Sequence, residues 1–165
     1  MRIALVQQHV GGDREADLAR GLRAARDAAA GGAAVIGFAE LALEPFYPQR
    51  PVSPGDLERA EPVPGPTVDA FRALAAERGV VIVLNLFERA DDGRTYDASP
   101  VIDADGALLG VTRMVHITDY EGFYEQGYYA PGDRGAPVYE TRFGRIGVAI
   151  CYDRHYPEYM RALAL

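Results

Sequence analysis

Apolar residues recur along this chain with two different periods, and the changes between them mark its elements. Arg2 to Gln7, with the short continuous apolar run Ile3-Ala4-Leu5-Val6 inside it, reads as a first strand in a covered sheet. From Asp13 to Ala30 the spacing changes. Leu18, Leu22, Ala25 and Ala29 recur every three or four residues, the period of a helix with one buried face, and Gly31-Gly32 stops it. Ala33 to Phe38 reads as a second buried strand that delivers Glu40 just past its end. Strand, helix, strand in this order predicts the βαβ unit of a sheet covered by helices. A second helix is expected over Thr67 to Arg78, with Val68, Phe71 and Leu74 on one face and Gly79 as its stop. Val80 to Glu88 reads as one strand, Asp91 to Arg94 as a turn and Thr95 to Asp103 as the next strand. Asp105-Gly106 then signals a hairpin into Ala107 to Val115. A last hairpin, Val138 to Thr141 with Arg145 to Ile150, runs into Cys151. Pro157-Glu158 has the make-up of a first helical turn, and a helix is expected to Leu165 with Met160, Leu163 or Ala164 turned towards the sheet.

Two stretches carry no period. Seven of the 11 prolines lie between Pro45 and Pro66, which predicts a long, stiffened loop over residues 41–66. His116 to Pro137 is the other, and its aromatics Tyr120, Phe123, Tyr124, Tyr128 and Tyr129 suit a packed loop or a pocket lining. The class is α/β, in one domain over residues 1–165. Composition agrees: 48% hydrophobic and 25% charged residues suit a folded domain with a sizeable core. The net charge of −7 and the scatter of the 17 basic residues, all of them arginine, leave no basic stripe for a nucleic acid. No apolar run approaches the roughly 20 residues needed to span a bilayer, so no membrane association is expected. A single cysteine forms no internal disulfide, which fits a reducing compartment, and the cytoplasm is the expected location.

Chemistry narrows to two positions. Cys151 and Glu40 each follow a predicted strand, and α/β sheets gather reactive groups outside the carboxyl ends of their strands. A thiol needs a neighbouring base to become a competent nucleophile, a carboxylate in a dry pocket can serve, and a following helix N-terminus favours the thiolate. By spacing alone the plain readings, a cysteine packed in the core and a solvated glutamate, stay open beside a thiol enzyme. His9, His116 and His155 lack metal-ligand spacing, so neither a metal nor another cofactor is expected. Gly11-Gly12 lacks the Gly-Lys-Ser/Thr of a phosphate loop.

Five segments go further. Arg2 to Gln7, Gly37-Phe38-Ala39-Glu40-Leu41, Val101-Ile102-Asp103 through Gly110, Glu125-Gln126-Gly127 through Asp133, and Phe143 through Cys151-Tyr152-Asp153 to Tyr156-Pro157-Glu158 resemble, in order, the motifs of the nitrilase superfamily. The resemblance implies an α-β-β-α sandwich, here its N-terminal part and incomplete, with a Glu-Lys-Cys triad and a supporting second glutamate. By position Glu40 is the base, Cys151 the nucleophile and Glu125 the second acid. Two departures stand out. Ala39 replaces a proline, and Met114 stands where the lysine belongs, with Arg113 on the opposite face of its strand. The run Cys151 to His155 is similar to that of N-carbamoyl amino-acid hydrolases, which implies that Arg154 holds a substrate carboxylate; Tyr152 and Tyr47 are further candidate substrate contacts. The function implied is hydrolysis of a small amide or N-carbamoyl compound through a cysteine thioester, in a homo-oligomer when full length. The alternative is a non-catalytic relative kept for binding or assembly.

Overall fold

The computed structural model describes residues 1–165. β1 (Ile3–Val6), α1 (Arg14–Ala30) and β2 (Val35–Phe38) form the expected βαβ unit, with the strands parallel and Ile3 opposite Val35. The Asp13 carboxylate accepts the Ala16 N–H at 3.0 Å, satisfying a donor that the first turn of a helix leaves free. α2 (Pro66–Arg78) begins on a proline, whose missing N–H is not needed there, and stops at Gly79 with φ of 65°. The proline-rich loop before it holds two short 3-10 turns, Tyr47–Gln49 and Asp56–Arg59, locked by the Arg50 guanidinium on Asp56 at 2.7 and 2.8 Å.

β3 (Val81–Val83) lies parallel to β2, and β5 (Thr95–Ile102) runs antiparallel to β3 and then to β4 (Leu86–Arg89). β6 (Leu108–Arg113) pairs with the other edge of β5. The single strand expected over Val80 to Glu88 is therefore two. The break falls at Leu84-Asn85, between the pairs Val83–Val101 and Leu86–Ala98. Leu84 N–H still bonds the Pro100 carbonyl at 3.1 Å, but proline has no N–H to return and the ladder is interrupted. β7 (Val138–Thr141) and β8 (Gly144–Gly147) form a separate two-stranded sheet. The strand expected to reach Ile150 ends at Gly147, because beyond it the Val148 carbonyl accepts the Tyr159 hydroxyl at 3.2 Å in place of a strand partner.

α1 and α2 bury one face of the large sheet through Ala25, Val68, Phe71 and Leu74 against Ile36 and Ile82. On the other face, Phe143 and Ile146 of the β7–β8 hairpin lie on Val35, Val81 and Ala104. The Tyr139 ring sits so close over Gly110 that a Cβ there would come within 2.6 Å of it. α3 (Pro157–Ala164) packs outside the hairpin with Leu163 on Gly147. Its inward face carries Tyr159 and Leu163, one turn apart, while Met160 is exposed, because the Tyr159 hydroxyl bond fixes the helix rotation. The layers run helix, sheet, sheet, helix. No helix is long and apolar enough to cross a membrane.

Candidate active site

Glu40 and Cys151 are placed by two bends of the same kind. Leu41 (φ 47°) and Cys151 (φ 44°) are the non-glycine residues in the left-handed region, which costs about 1–2 kcal/mol each. Each bend is fastened by a buried polar side chain. Asn85 Oδ1 accepts the Leu41 N–H at 2.7 Å and so holds the turn that aims Glu40. Cys151 opens a 3-10 turn, Cys151–His155, whose buried Asp153 accepts the His116 N–H at 2.9 Å and contacts His116 Nδ1 at 2.6 Å. The His116 ring in turn stacks on Tyr156 with centroids 3.6 Å apart. Glu125 begins the short turn Glu125–Gly127, and its Oε2 accepts the Thr118 N–H at 3.2 Å and the Thr118 hydroxyl at 2.5 Å.

These segments bring one donor atom each from Glu40, Glu125 and Cys151 within 4.8 Å of one another. Cys151 packs against the apolar cluster that holds Met114, which is fully buried among Leu41, Phe87, Tyr128 and Ile150. Arg113 points away, as the strand alternation requires. It forks onto Glu88 at 2.6 and 2.7 Å, reaches Asp133 at 2.8 Å, and lies over the Tyr96 ring. The three expected substrate contacts fall at different depths. Tyr47 is a buried wall residue whose hydroxyl accepts that of Tyr129 at 3.2 Å. Tyr152 is half-buried against His155 and Tyr156. Arg154 is exposed and donates to the Cys151 carbonyl at 3.2 Å, outside the cluster.

Sequence reasoning missed Asp97 and Asn85. Asp97 is fully buried on β5, and its carbonyl accepts the Met114 N–H at 2.9 Å. Its Oδ1 accepts Asn85 Nδ2 at 2.5 Å, while Oδ2 has no partner. Every residue of β5 is buried, so no alternation in the sequence marked Asp97 as inward-facing. Burial first, and the Glu40 carboxylate next, raise the Asp97 carboxyl well above the usual range. Burial likewise raises Glu125, against the lowering effect of its Thr118 bonds. The Cys151 thiol is pushed far up by burial, then by Glu40, Glu125 and Asp97. The thiolate expected from a following helix N-terminus is opposed by burial first and then by these acids. A cleft lined by Phe38, Val83, Ser99, Val148 and Ile150 opens onto Glu40 and Cys151. A thiol and a carboxylate this close can pass a proton between them while sulfur attacks an electrophilic carbon.

The family model for carbon–nitrogen hydrolases matches residues 2–165. The N-carbamoylputrescine amidase of Solanum lycopersicum is 40% identical over 164 residues, 99% of this chain and 54% of its own length. The structure of a carbon–nitrogen hydrolase from Helicobacter pylori G27 matches with a TM-score of 0.93 at 28% identity, covering 99% of this chain and 56% of that one. An amidase from Nesterenkonia sp. matches with a TM-score of 0.82 at 25% identity, over 99% and 60% of the two chains. The chain thus spans about half the length of the curated relatives it matches. Motif order, layer order and these likenesses agree: the chain belongs to the carbon–nitrogen hydrolase family.

Proposed function

We propose that the protein hydrolyses a non-peptide C–N bond of a small N-carbamoyl or amide compound, with Cys151 as nucleophile, Glu40 as base and Glu125 as second acid. The observation that carries this reading is the convergence of those three groups from segments up to 111 residues apart in the sequence. Glu40 takes the thiol proton as sulfur bonds to the carbonyl carbon. The C–N bond then breaks, and Glu40 returns the proton to the departing nitrogen. Water, deprotonated by Glu40, attacks the thioester, releasing the acid and restoring the thiol. Glu125 fixes the site's geometry through Thr118 and keeps its other oxygen facing the cluster. Met114 supplies no donor to the oxyanion, so backbone N–H groups have to stabilise it, at a cost on the order of 10²–10³ in rate. Likeness to an N-carbamoylputrescine amidase favours a ureido substrate over a plain amide.

The test is ammonia release by the purified protein from a panel of N-carbamoyl amines, N-carbamoyl amino acids and simple amides. Turnover on a ureido compound that is lost in Cys151→Ala and Glu40→Gln is the expected result, and turnover surviving Cys151→Ala overturns it. A second reading, a relative kept for binding or assembly, is favoured by the donor-free Met114 and by the burial and neighbouring acids that push the thiol pKa up. A folded protein that turns over none of the panel supports that reading instead.

A further inference from the structure

We infer that Glu40, Glu125 and Cys151 form a binding site for one thiophilic divalent cation of the zinc class. Their donor atoms lie within 4.8 Å of one another. A cation at about 2.0–2.3 Å from oxygen and sulfur donors draws them to about 3.3–3.5 Å of one another, which side-chain rotations have to supply.

A second observation is independent of that spacing. Glu125 is fully buried with its Oε1 lacking any hydrogen-bond partner, and Glu40 Oε1 is likewise buried and unpartnered. Buried acceptors without donors are costly, and here two share one site. No side-chain cation answers them. Arg113 is held by Glu88 and Asp133, His116 is held by Asp153, and Met114 carries no charge. A mixed set of carboxylate and thiolate donors suits zinc rather than magnesium or calcium, which take oxygen alone.

On binding, the Cys151 S–H bond breaks, its proton leaves to solvent and a sulfur–metal bond forms, with no change of oxidation state. Donors separated by 85 and 26 residues carry no spacing signature, which is why histidine spacing alone suggested no metal. The inference does not rest on the hydrolase reading, since binding is measured without turnover.

The experiment uses purified, reduced protein stripped with a chelator and titrated with Co²⁺. Cys151 is the only cysteine, so a near-ultraviolet sulfur-to-cobalt band reports on this site and no other. The expected result is one Co²⁺ per chain with that band, displacement by Zn²⁺ but not Mg²⁺, and protection of Cys151 from alkylation by Zn²⁺. Cys151→Ser and Glu125→Gln should each weaken Zn²⁺ binding at least 10-fold, roughly the loss seen even for groups behind the ligands. Glu77→Gln, on the α2 surface, should leave it unchanged. Met114→Lys adds an ammonium beside the carboxylates and should abolish binding in a protein whose circular dichroism shows it folded. A folded native protein without the band at saturating Co²⁺, or undiminished Zn²⁺ binding in folded Cys151→Ser, overturns the inference.

Discussion

Asp97 keeps a carboxyl where burial and the Glu40 carboxylate both oppose its charge. Its folded-state pKa is raised above the value of about 3.9 in an unfolded chain, so the fold favours the protonated form. The stability this contributes is fully present below the unfolded pKa and is lost as pH rises towards the folded one. Asp97→Asn removes the titration, keeps the shape and adds a donor facing Glu40. Urea midpoints should rise in this variant at pH 8, by about 1–3 kcal/mol in unfolding free energy, and change little at pH 4. No change at either value would mean that Asp97 acts only through its shape. At this scale the sequence was half legible. Motif likeness reached Glu40, Glu125, Cys151 and the odd Met114, because they stand in local strings of residues. Asp97 and Asn85 act through partners 12 to 57 residues away, and no local string records that.

Among the elements, β1, α1, β2 and α2 were readable because each has a single period and a chemical stop. The interruption between β3 and β4 was not, since it depends on Pro100 of a strand that pairs only in three dimensions. That interruption is where Asn85 works. Its amide joins the Leu41 backbone, Asp97 and Ser99, thereby tying the turn after β2 to β5. Asn85→Leu keeps the volume and leaves the Leu41 N–H and the Asp97 carboxyl short of partners. A loss of about 2–6 kcal/mol is expected in chemical unfolding, from two buried groups at roughly 1–3 kcal/mol each. A midpoint unchanged from the native protein would mean that water takes over both bonds. The 3-10 turns at Tyr47, Glu125 and Cys151 were read as loop, because three to five residues fixed by distant side chains have no periodicity of their own.

For the whole molecule, the pattern gave the α/β class and the motif likeness gave the layer order, but neither told which surfaces stay uncovered. β1 is an edge strand, and Leu5 is 84% exposed on it beside Ile3, on the part of the hairpin-bearing sheet face that the β7–β8 hairpin does not cover. Edge strands with apolar side chains invite pairing with another chain. Light scattering should show mass increasing with concentration, and Leu5→Lys should return it towards that of a monomer. A native mass that stays monomeric across micromolar concentrations would discount the edge. The span from Glu40 to Cys151 also has a meaning in time. At a synthesis rate of about 5–20 residues per second, roughly 5–20 s separate the appearance of the two groups. During that interval the nascent chain holds β1, α1 and β2 with an acid and no thiol to meet it. The three proposed site groups therefore cannot meet until Cys151 has been made, and synthesis interrupted before it leaves the first strands with Glu40 alone.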